Sequence, residues 1–151
     1  MSTTDIVKLH RAHFDRFIEL VYALADYEKL DRPSADAVQR LRDDAFGEFP
    51  RFEAFLAFHE GSAVGYAIVL EMYSSFLAKP TIYLEDLFVL ESARGKGIGS
   101  TLFNHVRSIG AARDCGRMEW QVLDWNEPAI EFYKRKEGEH LKAWHTYRIT
   151  Y

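Results

Sequence analysis

The chain has 151 residues, of which 48% are hydrophobic and 15% aromatic, with 19 Lys and Arg against 23 Asp and Glu for a net charge of −4. At roughly 100 to 200 residues per domain this predicts one compact domain over 1–151, with apolar surface enough for a core, and excludes both a two-domain chain and intrinsic disorder. A pI near 5.9 argues against a nucleic-acid partner and slightly favours a cationic one.

Ile6 to Leu9 is a short apolar start, after which Phe14, Phe17, Ile18, Val21 and Leu24 recur at three and four residues and predict a helix. Pro33-Ser34 gives a break and an N-cap for a second, shorter helix through Ala37, Val38 and Leu41, ending before Phe46-Gly47. Phe52 to His59 and Val64 to Met72 read as two strands joined by a turn at Glu60-Gly61-Ser62, and Tyr73 to Pro80 as a loop. Thr81 to Leu90 is the strongest strand, interrupted only by Glu85-Asp86. A helix follows from about Gly97 through Ile98, Leu102, Val106 and Ile109, with Gly110 near its end. Arg117 to Leu123 is a strand, and Asn126-Glu127-Pro128 starts a helix with a capping asparagine and a first-turn proline. Lys134, Arg135 and Lys136 suit its last turn, Gly138 stops it, and Trp144 to Tyr151 reads as a closing strand.

Cys115 is the one cysteine, so no intrachain disulfide forms, and no apolar run of about 18 residues or basic leader occurs. A cytoplasmic protein with no membrane partner is expected. The histidines lack metal-ligand spacing, so no metal is expected either.

The most informative stretch is Arg94-Gly95-Lys96-Gly97-Ile98-Gly99-Ser100, between the strong strand and an amphipathic helix. Backbone without side chains can turn sharply there and approach a ligand, and the N–H groups of the helix's first turn suit an anion such as pyrophosphate. The nucleotide P-loop spacing is absent, and a dinucleotide fingerprint needs glycine where Ser100 or Leu102 stands.

The R-G-x-G-I-G-S run after a strand ending in Phe-Val resembles the pyrophosphate loop of the GCN5-related N-acetyltransferase (GNAT) family. The likeness is closest to its spermidine/spermine and thialysine N-acetyltransferase branch. Leu24-Ala25-Asp26-Tyr27-Glu28, Phe46-Gly47-Glu48, Tyr83 to Val89, Leu123-Asp124-Trp125-Asn126 and the pattern from Asn126 to Tyr133 carry it, across essentially the whole chain. The resemblance implies an α/β fold with a single mixed, mostly antiparallel twisted sheet of about six or seven strands, splayed at its centre and flanked by about four helices. It also implies acetyl-CoA as cofactor and a homodimer.

Glu85 and Asp86 adjoin in an apolar strand and must point to opposite sides, since a buried unpaired carboxylate costs several kcal/mol or shifts its pKa. An alkylammonium near pKa 10.4 is only about one part in a thousand neutral at pH 7.4, and a carboxylate in a cleft can both attract it and relay its proton away through water. The resemblance gives that catalytic role to Glu85 and makes Tyr133 of the N-x-x-A-x-x-x-Y pattern the general acid for the thiolate. It places the cofactor along the backbone of Leu87, Phe88 and Val89, on Arg94, Gly95, Lys96, Gly97, Ile98, Gly99 and Ser100, and beside Asn126 and Ala129. Asn126 has a second reading as the helix cap. Tyr27, Glu28, Glu85, Asp86 and Trp144 match amine-contacting positions.

Departures bear on the substrate. Ser75, Phe76 and Leu77 stand where the polyamine enzymes carry an acid and an aromatic residue, and Lys142 stands where a glutamate precedes the tryptophan. These predict weaker hold on a distant second ammonium and a preference for a short amine or a lysine-like amino acid over spermine. The rival readings are a non-catalytic acyl-CoA-binding module and an acetyltransferase of protein lysines or N-termini; retention of both Glu85 and Tyr133 favours the enzyme.

Overall fold

The computed structural model describes residues 3–151, which form two compact units, one ending at Trp120 and one running from Gln121 to Tyr151. The first unit holds a sheet in the order β1-β2-β3-β4-β5, formed by Thr4–Lys8, Glu53–His59, Ser62–Ser74, Lys79–Val89 and Arg117–Trp120. The first four strands are antiparallel neighbours, and β5 joins β4 in parallel after the crossover helix α3, Ile98–Ala112. Helices α1 (Phe14–Glu28) and α2 (Ala35–Phe46) occur between β1 and β2.

The two faces of the sheet follow from strand alternation. Phe14, Phe17, Ile18 and Leu20 of α1 pack with Ala54, Leu56, Tyr66, Ile68 and Phe88, and Val38, Leu41 and Phe46 of α2 lie against the same cluster. The other face meets α3: Phe55 stacks edge-on against His105 at 4.8 Å, Phe103 against Trp120 at 5.4 Å, and Gly110 lies against Ile82. Full burial of a side chain such as Phe17 is worth about 2–3 kcal/mol. Ser34 caps α2 by accepting from the Ala37 N–H at 3.2 Å, and α1 ends in a left-handed cap at Lys29, φ 60°, with Leu30 N–H donating to the Ala25 carbonyl.

One irregularity in β4 decides what the site contains. Ile68 pairs with Asp86 but the next residue, Val69, pairs with Leu84, so Glu85 is an extra residue opposite no partner on β3. A β-bulge of this kind moves every later residue to the other face. Ile82, before it, faces α3, whereas Phe88, an even number of residues on, packs with α1.

Several boundaries differ from the sequence reading. The sheet has five strands where six or seven are expected. The expected closing strand Trp144 to Tyr151 has no ladder, because the second unit's regular element is the helix α4, Glu127–Arg135, which offers no strand edge. The strand predicted to reach Leu123 stops at Trp120. The expected loop Tyr73 to Pro80 is a tighter hairpin in which Tyr73 still pairs with Pro80. Gly110 does not end α3, which continues to Ala112; a Cβ there would come within 2.9 Å of Ile82 Cγ2, so the glycine serves close packing. Among the described residues no helix is long and apolar enough to cross a membrane.

Candidate active site

The glycine loop lies where β4 hands over to α3. After a short turn at Glu91–Ala93 the chain runs exposed from Arg94 to Gly97, and Ile98 plugs into the core as the first residue of the helix. Gly95 and Gly97 adopt φ of 77° and 79°, left-handed values that other residues reach only at a cost, and a Cβ built on either meets nothing within 4 Å. The open face of the loop, the unpaired N–H groups of a 15-residue helix and the exposed Lys96 together form a cradle that fits a pyrophosphate. Gly99 and Ser100 continue as the first turn.

Beside the loop the β4–β5 ladder covers only Thr81 to Leu84 against Arg117 to Trp120. Among the described residues β4 has no strand partner on that side from Glu85 onward, so the edge at Leu87, Phe88 and Val89 is available to an extended ligand. A splay is expected at the centre of the sheet; here β4 and β5 part beyond Leu84 at the β5 end of the five strands.

Arg94 is committed more closely than its place in an anion loop suggests. Its Nε donates to the Val89 carbonyl at 2.9 Å, and its guanidinium sits 4.7 Å from the Tyr27 ring centre and 5.5 Å from that of Phe88. The arginine thus ties the loop to the last turn of α1.

That last turn faces a group of carboxylates. The bulge turns Asp86 toward Tyr66, whose hydroxyl donates to Oδ2 at 3.0 Å, while Glu85 itself is exposed. Burial, followed by the charges of Glu85 and Glu28, raises Asp86 from its ordinary 3.8 to about 6, against the pull of the Tyr66 hydrogen bond. Burial also raises Glu28, and it pushes the Tyr66 hydroxyl well above 10, so that hydroxyl stays a donor. Glu28 occupies the final position of α1, where the helix dipole is negative and adds to the field. Tyr27, half-buried beside Phe88 at 6.3 Å, forms an aromatic wall. Three carboxylates, a helix C-terminus and an aromatic face attract a cation, and among the described residues no group of acidic, His or Cys side chains could hold a metal ion.

The other predicted residues lie in the second unit. Asn126 caps α4, accepting from the Ala129 N–H at 3.4 Å, with Pro128 in the first turn and Lys134 and Arg135 in the last. Tyr133 is half-buried next to Phe132, with ring centres 5.3 Å apart. Trp144 is 79% exposed, and Lys142 is exposed as well. The structure therefore gathers Tyr27, Glu28, Glu85, Asp86, Phe88 and Arg94 in one unit and Asn126, Ala129 and Tyr133 on one helix of the other. Tyr66 is the residue that sequence reasoning missed. The signal was a tyrosine in a strand run of buried aliphatics, whose hydroxyl needs a partner once its ring is buried.

The acetyltransferase (GNAT) family model matches residues 17–138. A thialysine N-epsilon-acetyltransferase of Sus scrofa is 34% identical over 160 residues, covering 99% of this chain and 94% of that protein. An L-ornithine N5-acetyltransferase of Arabidopsis thaliana is 37% identical over 105 residues, 68% of this chain and 46% of that protein. Among solved structures, an integron cassette protein of V. cholerae superposes with a TM-score of 0.81 at 26% identity, covering 97% of this chain and 92% of that one. An aminoglycoside N-acetyltransferase in complex with CoA superposes at 0.80 with 21% identity over 99% and 96%, a likeness of fold.

Proposed function

Since this chain belongs to the acetyltransferase (GNAT) family and uses acetyl-CoA, we propose that its acceptor is a short primary amine or a lysine-like amino acid, acetylated by direct attack on the thioester. The observation that carries this reading is the group of Glu28, Glu85 and Asp86 under the Tyr27 wall, beside the glycine loop. The names of the thialysine and ornithine acetyltransferases, whose acceptors are amino acids with a terminal amine, support the same class.

Acetyl-CoA, when bound, supplies the activated acetyl group. Arg94 to Ser100 would hold its pyrophosphate and the edge from Leu87 to Val89 would offer it backbone donors, and the family likeness assigns Asn126 and Ala129 to its arm. Glu28 and Asp86 hold the ammonium, and Glu85, exposed at the bulge, takes its proton through water. The family likeness would make the Tyr133 hydroxyl the proton donor to the leaving thiolate; a phenol near 10 against a thiol near 8.5 would make that uphill by only about 2 kcal/mol. Trp144 and Lys142 belong to the acceptor side, and Lys142 suits the carboxylate of an amino-acid substrate. We read 1–151 as one acetyltransferase domain, since the family match runs across both units, acting in the cytoplasm as a homodimer paired through its C-terminal half. Residues 141–151, with Leu141, Trp144, Tyr147, Ile149 and Tyr151 exposed, support that pairing.

A turnover assay with acetyl-CoA against thialysine, ornithine, lysine, putrescine, spermine and a lysine peptide tests the reading. The highest kcat/KM belongs to an amino acid or a diamine. A preference for spermine or for the peptide refutes it, and light scattering at micromolar concentration that finds only monomer refutes the dimer.

A further inference from the structure

Tyr66 is completely buried in β3, with its ring centre 5.4 Å from Phe17 and 6.4 Å from Phe88. A phenylalanine would pack there as well. What the hydroxyl adds is one hydrogen bond, to Asp86 Oδ2, at the cost of removing a polar group from water. The titratable groups facing Asp86 are Glu28 from α1, Glu85 from its own strand and Tyr66 from β3. The two glutamates oppose a negative charge on Asp86; Tyr66 favours it, because a donor to a carboxylate stabilises the ionised form.

We propose that Tyr66 is a positioning residue for the acceptor: by donating to Oδ2 it keeps Asp86 ionised and leaves Oδ1 for the incoming ammonium. The inference rests on the amine reading above, and it divides the adjacent acids: Asp86, half-buried and held by Tyr66, anchors the charge, while the exposed Glu85 exchanges protons with water. It also gives the acceptor site a pH threshold, because near pH 6 the anchor is only half ionised in the wild type.

Tyr66→Phe keeps the ring and removes the bond. Carboxyl 13C shifts followed against pH, without amine or cofactor, read Asp86 directly; its midpoint near 6 should rise by about one pH unit. The KM for thialysine should then rise about fivefold at pH 6 and change less than about twofold at pH 8.5, with kcat and CoA affinity nearly constant. A packing role alone would leave the midpoint in place and any loss independent of pH, and that result overturns the proposal. Should the variant fold poorly, 3-fluorotyrosine in place of Tyr66, a stronger donor, should move the midpoint down, and a midpoint that stays or rises overturns the proposal equally. Wild-type protein that turns over no amine refutes the acceptor role together with the function; amine turnover with an unmoved midpoint refutes Tyr66 alone.

Discussion

Asp86→Asn should make the protein more stable while making it a worse enzyme. Asp86 is held near 6 in the folded protein against 3.8 for an ordinary aspartate, so above pH 6 the folded chain carries a charge that the unfolded chain accommodates more easily. At 1.36 kcal/mol per pH unit the displacement is worth about 3 kcal/mol, and solvent reach to a partly exposed side chain trims it to about 1–3 kcal/mol. The penalty is absent below about pH 4, where both states are protonated, grows as the pH rises from about 4 to about 6, and is constant above that. Asparagine keeps an oxygen for the Tyr66 hydroxyl and brings no charge. Urea unfolding at pH 7.5 should therefore show the variant more stable by about 1–3 kcal/mol, or roughly 3–10 °C in Tm, with the gain fading toward pH 4. The same variant should raise the KM for the amine at least about tenfold at pH 7.5, having lost a charge-assisted contact. Equal or lower stability at pH 7.5, or a gain of the same size at both pH values, would refute the account of Asp86.

Three further outcomes follow from the site. Gly97→Val places a β-branched residue at φ 79° and puts a side chain on the open face of the loop; the protein should fold with about 1–2 kcal/mol of strain and lose acetyl-CoA binding by calorimetry. Tyr133→Phe should leave CoA affinity nearly intact and lower kcat by about 10 to 1000-fold, and wild-type turnover across the pH range would assign the residue to packing alone. Arg94→Met removes the contact with Tyr27 as well as a cation near the loop, so steady-state kinetics should show KM rising severalfold for the amine and for acetyl-CoA together; a change confined to acetyl-CoA would mean that the stacking on Tyr27 carries no weight.

Periodicity and turn chemistry made most of the scaffold readable in the sequence. The apolar spacing from Phe14 marked α1, Ser34 and Asn126 marked two helix starts, and the run after Arg94 marked the anion loop. Features that depend on what lies opposite a residue were not readable. Nothing in Leu84-Glu85-Asp86 announces that one residue is extra, because a bulge is a property of two paired strands and not of either alone. Adjacent acids promised opposite faces, but which one turns inward is set by that extra residue. Gly110 carries the same lesson: a glycine near a helix end reads as a stop, and only the position of Ile82 makes it a contact. The segment after Trp144 has strand composition without a strand, since composition supplies the preference and a neighbouring edge must supply the bonds.

The bulge at Glu85 also partitions how β4 can change over generations. Residues before it, such as Ile82 and Leu84, are buried and serve the scaffold, with Ile82 against α3; residues after it, Asp86 and Phe88, turn to the α1 side where the acceptor group lies. One strand thus holds two selectable halves, and a substitution in the later half can retune acceptor choice while the α3 contacts stay as they were. Closing the bulge while keeping Glu85 would rotate Asp86 and Phe88 to the wrong face together, whereas deleting Glu85 would leave Leu84 opposite Val69 and Asp86 opposite Ile68 in a regular ladder. A deletion at Glu85 should accordingly cost the exposed acid and keep both faces, and one-residue insertions or deletions elsewhere in β4 should be far scarcer among working descendants.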